Sequence, residues 1–147
     1  PEYCEGMWRI LQHKQADDFV LATGETKTVR EFADLTFKNL GIEIEWKGKG
    51  ENEKGVIKSI KIEKAQKLIS YSTNKKSFIK DFTTKLKKGD TLIAIDPVYY
   101  RPTEVDLLIG DPSKAKIVLG WKAKTKFEDL VKLMIKSDME KVLKRGF

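Results

Sequence analysis

One histidine, His13, and one cysteine, Cys4, are all that this 147-residue sequence offers to metal, triad or disulfide chemistry. A zinc site takes about four nitrogen or sulfur ligands, and a Ser-His-Asp triad needs an oriented base, so neither is expected. A lone cysteine excludes an internal disulfide framework and fits a reducing compartment, the cytoplasm. No apolar run approaches the roughly 20 residues that span a bilayer, and no signal-peptide pattern is read at the start. Arginine is also scarce: four of the twenty-nine basic residues, with lysine supplying the rest. No internal repeat or low-complexity linker interrupts the sequence.

What is present has a soluble balance, 40% apolar and 35% charged, and a length that suits one compact domain. The net charge of +7 is unevenly placed. Residues 47–88 hold thirteen lysines against four acids, and the remainder is slightly acidic. Only Tyr71, Phe78 and Phe82 are aromatic there. A solvated lysine-rich face is therefore preferred to a nucleic-acid surface, which would interleave aromatics with a domain-wide basic patch.

The spacing predicts a helix over 2–13, with Tyr3, Met7, Ile10 and Leu11 inward. "FVLAT", 19–23, predicts a buried strand. "TVRE", 28–31, is a capping box that opens a helix with Val29, Phe32, Ala33, Thr36, Phe37 and Leu40 inward, closed by Gly41. "IEIEW", 42–46, "VIKSIKIE", 56–63, and "TLIAID", 91–96, predict strands. Asp111-Pro112 caps a short helix that Gly120 ends, with Trp121 as the apolar contact beyond. "TKFE", 125–128, starts a long helix with Phe127, Leu130, Val131, Met134, Ile135 and Val142 inward. Helices and strands mix without strict alternation, which makes the fold class α+β, a small sheet packed with helices. Cys4 is expected as a small buried residue, and His13 as a charge partner at a helix C-terminus.

"GKGENEKG", 48–55, has the look of a phosphate loop, but its G-x-G-x4-G spacing opens no apolar helix. A mobile turn between strands is expected instead. "YSTNK", Tyr71 to Lys75, matches a Tyr-x-x-x-Lys pair in spacing only, because no Rossmann strands precede it.

The stretches "EYCEGMWRILQ", "DDFVLATGETKTVREFADLTFKNLGIEIEWKGKGENEKG" and "YRPTEVD…GDPSKA…LGW" together resemble the C-terminal part of the GDP-mannose 4,6-dehydratase family, extended short-chain dehydrogenase/reductases. Tyr99 to Trp121 is the most specific block. The resemblance implies that residues 1–147 are a C-terminal substrate-binding region without its Rossmann domain. Residues 1–23 are then a remnant that packs on that domain, and 64–88 a lysine-rich insertion without a family counterpart. The opening on Pro1, already in helix, is expected of a piece of a longer chain. The implied parent reaction uses NADP to turn GDP-mannose into GDP-4-keto-6-deoxymannose. No glycine-rich fingerprint or catalytic Tyr-x-x-x-Lys is present, so no catalytic, cofactor-binding or metal residue is assigned here, and the chain alone is expected to be inactive.

The substrate-binding residues that the resemblance implies are Arg101, for the diphosphate, and Glu104, for the ribose hydroxyls. A planar guanidinium fork matches paired phosphate oxygens better than an ammonium does. Pro102 biases Arg101 toward extended backbone. Read without the family, the two make an ordinary surface ion pair. Arg30, early in its helix, is explained by the capping box before any phosphate contact. The expected partners are GDP-mannose through its GDP moiety, the Rossmann domain and, as a homo-oligomer, further copies of the chain. The isolated chain is expected to self-associate or lose order over 1–23. The competing readings are a non-catalytic module that binds a nucleotide or docks on a Rossmann partner and, more weakly, a basic nucleic-acid-binding domain.

Overall fold

The computed structural model describes residues 2–61, 63, 84–101 and 107–145. The helices in it are α1 (Glu2–Gln12), α2 (Val29–Asn39), α3 (Ser113–Leu119) and α4 (Phe127–Arg145). A three-stranded antiparallel sheet runs β1 (Ile42–Lys47), β2 (Lys54–Ile60), β3 (Thr91–Ala94), with β2 central. The mixed α+β class follows. The chain divides into two compact units, one of residues 1–28 and 104–129, the other of 29–103 and 130–147.

In the first unit, the end of α3 sets the packing. Gly120 takes the left-handed backbone, φ 62°, that a side chain disfavours. After that turn the Trp121 N–H donates to the Ala115 carbonyl, six positions back, at 3.2 Å. Trp121 is buried as the sequence predicts, and Ala115 is buried with it. The Trp121 indole N–H donates to the Glu2 carbonyl at 2.7 Å, and its ring meets Tyr3 edge-on at 5.5 Å. Arg9 donates to the Leu119 carbonyl at 2.8 Å, so a cation from α1 satisfies an acceptor left open at the end of α3. Gly6 is buried where α1 meets Leu21 and Trp121; a Cβ there would lie 2.6 Å from Leu21 Cδ1.

Three expectations fail in this unit. "FVLAT" forms no strand: it has strand composition but no ladder partner among the described residues, and Val20 is exposed. The α1 stripe is not inward. Tyr3 is 42% exposed, Met7 53% and Leu11 80%, because Gly6 rather than the stripe makes the close contact. Cys4 is exposed, not buried. His13, just past α1, is close to the Gln15 carbonyl through Nδ1 and edge-on to Phe19.

In the second unit, α2 begins directly after Thr28 and ends at Asn39, and the turn that follows carries Gly41 at φ 78°. Val29 is the exception in the stripe, 86% exposed in the first turn. β1 keeps its alternation: Ile42 is buried and Ile44 and Trp46 half-buried, with Glu43, Glu45 and Lys47 exposed. β2 buries Gly55, Val56 and Ile57 in succession, so both faces of the sheet are covered at its centre. Bulges at Glu43/Ile44 and Gly55/Val56 shift the two registers locally. Val131 and Ile135 of α4 are buried as predicted, whereas Leu130 and Met134 are exposed. The first six residues of "GKGENEKG", 48–53, connect β1 to β2 and hold a single 3-10 turn at Gly50–Asn52. The N–H groups of Asn52 and Glu53 donate to Lys49 and Gly50 within that turn, so they are not a phosphate cradle.

Candidate functional site

The segment after β3 reverses direction at Asp96. Its carboxylate accepts the Val98 N–H at 2.9 Å while its carbonyl accepts the Tyr99 N–H at 3.0 Å. An Asx turn followed by Pro97 is a stiff way to end a strand. The turn carries the chain through Tyr99 and Tyr100, 80% and 37% exposed, to Arg101. Neither tyrosine joins the core. Arg101 is exposed, and no described side chain or carbonyl forms an ion pair or hydrogen bond with it. Glu104 lies outside the described residues, as do Tyr71, Lys75 and most of the lysine-rich stretch.

Arg30 has the opposite character. Its guanidinium pairs with Glu53 and lies over the Trp46 ring, 5.1 Å from the centroid. Trp46 in turn donates its indole N–H to Asp34 at 2.8 Å. Cation–π stacking and an ion pair therefore hold this arginine to the sheet. Glu53 and Trp46 are far from Arg30 in sequence, so no local signal could have shown the network.

Beside α2, a surface cavity of about 290 Å³ is lined by Asp34, Lys38, Gly41, Ile42, Glu43, Ile44, Ser59 and Lys61. The Ser59 hydroxyl donates to Glu43 at 2.8 Å. That bond, with Lys58, Lys61 and Lys38 nearby, holds the Glu43 carboxyl below its usual range. The lining balances two acids against two lysines and favours neither sign of ligand.

In the first unit, the sequence block "GDPSKA" is built as its caps require. The Asp111 carboxylate accepts the Ser113 N–H at 2.9 Å, and Pro112 occupies the capping position, one residue later than expected. The Ser113 hydroxyl and then its N–H hold the Asp111 carboxyl below its usual range. A depressed carboxyl stabilises the fold above the ordinary carboxylate range, about 4, and loses that contribution as pH falls through its lowered value. Asp111→Ala is therefore expected to lower stability at pH 7, and the gap from the parent should narrow toward pH 3. Urea unfolding of both proteins across that range measures it, and a pH-independent gap would contradict it. Lys114 pairs with Asp17 at 2.6 Å and lies over Phe19, which ties the loop after α1 to α3.

Among the described residues, no group of three or more His, Cys, Asp or Glu could hold a metal ion, and no helix is long and apolar enough to cross a membrane.

These features define a mixed α+β chain with an arginine presented on a turn beside a small antiparallel sheet. The family model of GDP-mannose 4,6 dehydratase matches residues 1–134. The chain belongs to the GDP-mannose 4,6-dehydratase family. It is 41% identical over 139 residues to a GDP-mannose 4,6 dehydratase of Dictyostelium discoideum, a match over 95% of this chain and 31% of that protein. The corresponding Vibrio cholerae protein is 40% identical, with 32% of its length covered. The Homo sapiens one is 38% identical, with 30% covered. The chain thus spans about a third of the length of these relatives.

Proposed function

We propose that this chain supplies the GDP-sugar-binding half of the cleft in a GDP-mannose 4,6-dehydratase, an extended short-chain dehydrogenase/reductase of the cytoplasm. The parent enzyme would convert GDP-mannose to GDP-4-keto-6-deoxymannose with NADP held on a Rossmann domain. The observation that carries the reading is the exposed Arg101 guanidinium, without an ion pair or hydrogen bond among the described residues, in the family's "YRPTEVD" block. A fork free of acceptors among the described residues is available to a diphosphate, and it can pair with two oxygens at once. Glu104 is assigned to the ribose hydroxyls. The hydride chemistry belongs to a part of the enzyme that these 147 residues do not include.

Titration with GDP tests the assignment. Removing one charge-assisted contact costs about 1.5–3 kcal/mol, so Arg101→Ala should weaken GDP binding roughly 10- to 100-fold. Equal affinity in the variant, or no binding by the parent chain, would refute it. Incubated with GDP-mannose and NADP, the chain alone should form no 4-keto product.

A second reading is favoured by the first unit, where Leu107, Leu108, Ile109, Ile117 and Val118 are all exposed. In it, residues 1–23 and this apolar surface dock on a Rossmann domain and no nucleotide is held. A stable complex with such a domain, in the absence of GDP affinity, would select it.

A further inference from the structure

We infer that the cavity beside α2 and β1 is a binding site for a small zwitterion of the α-amino acid class. Its wall carries four charged side chains, Asp34, Lys38, Glu43 and Lys61, two of each sign. None of the four forms an ion pair with any described residue. Asp34 accepts the Trp46 indole N–H and Glu43 the Ser59 hydroxyl, each through one carboxylate oxygen. Both donors are neutral. Each carboxylate therefore keeps a charge without a counter-ion, and a second oxygen without a hydrogen bond, among the described residues. After the Ser59 bond, Lys58, Lys61 and Lys38 add to the lowering of the Glu43 carboxyl's pKa, and they do so without an ion pair to it. Cations and carboxylates thus border the same space without closing on one another.

A ligand of one sign would satisfy half of this wall and be repelled by the rest. A ligand that carries both signs answers all of it: its carboxylate takes Lys38 and Lys61, and its ammonium takes Asp34 and Glu43. The remaining lining selects further. Gly41 and Ile42 are buried and Ile44 is half-buried, which offers an apolar strip to a short aliphatic side chain. The volume of about 290 Å³ lies at the small end of ligand pockets, about 300–1,000 Å³, and suits a molecule of amino-acid size. Every lining residue belongs to the second unit, so the site is complete within it.

Titration of the chain with L-leucine, followed through its backbone amide resonances, tests the site. Saturable shifts are expected at residues 41–44 and at Ser59. Isocaproate keeps the carboxylate and side chain of leucine but lacks the ammonium; isopentylamine keeps the ammonium and lacks the carboxylate. Each should bind about fivefold more weakly than leucine, the upper worth of an exposed charge pair. Glu43→Gln keeps an acceptor for the Ser59 hydroxyl and removes only the charge. It should weaken leucine by the same factor and leave isocaproate unchanged. Lys38→Gln should weaken leucine and isocaproate alike. No saturable shift with leucine, a single-charge analogue that binds as tightly, or leucine binding indifferent to both substitutions overturns the inference. Arg101 is not part of this wall, so the amino-acid site and the nucleotide site stand or fall separately.

Discussion

Trp121→Ala is expected to cost about 3–5 kcal/mol, the range for emptying a fully buried large side chain. Trp121 is 1% exposed, and it joins three things at once. Its backbone N–H satisfies the Ala115 carbonyl at the end of α3, its indole N–H satisfies the Glu2 carbonyl, and its ring stacks edge-on with Tyr3. Alanine keeps the first and loses the other two. A loss of that size is comparable with the whole stability of a marginal domain, about 5–15 kcal/mol. Urea unfolding followed by far-ultraviolet circular dichroism measures it. Trp121→Phe separates the causes, because it restores much of the ring volume but leaves the Glu2 carbonyl unpaired. It should recover more than half of the loss. A cost under about 1 kcal/mol for the alanine variant would mean that the ring is not the keystone its burial implies.

Gly48→Ala should disrupt the β1–β2 hairpin more than Gly50→Ala does, although both glycines have left-handed backbone, φ 85° and 55°. Each substitution carries the conformational cost of a side chain there, about 1–2 kcal/mol. Only Gly48 meets a second penalty. A Cβ on it would lie 2.3 Å from the Asn52 carbonyl oxygen, a backbone atom that no side-chain rotation can move. A Cβ on Gly50 meets nothing within 4 Å. The 3-10 turn at Gly50–Asn52 must therefore shift in the first variant and can stay in the second. Hydrogen exchange along the Lys47–Lys54 end of the ladder should speed up markedly in Gly48→Ala, with little change in Gly50→Ala. Equal effects would show that the turn relaxes freely.

Local chemistry made much of this fold legible. Thr28 and Gly41 bound α2 because caps satisfy or terminate a helix within a few residues of themselves. Gly120 and Trp121 were readable together for the same reason, and the alternation of "IEIEW" revealed which face of β1 is covered. What failed needed knowledge of distant neighbours. "FVLAT" has the composition of a strand, but a strand exists only with a partner. Tyr3, Met7 and Leu11 have the spacing of a buried stripe, yet periodicity says which residues share a face, not whether anything covers it. The hold of Glu53 and Trp46 on Arg30 joins residues too far apart for any motif. Arg101 stood out through its family block rather than through spacing, and the structure adds that its guanidinium is exposed.

The position of β1 at the edge of the sheet, among the described strands, has a consequence for handling this protein. An edge strand offers unpaired backbone groups to any other extended chain, and "IEIEW" without its charges would be an apolar β-forming run of the kind that seeds fibrils. Glu43 and Glu45 interrupt that run on its exposed face. They act as gatekeepers: another extended chain laid along β1 would have to bury these polar side chains, which guards concentrated stocks against edge-to-edge pairing.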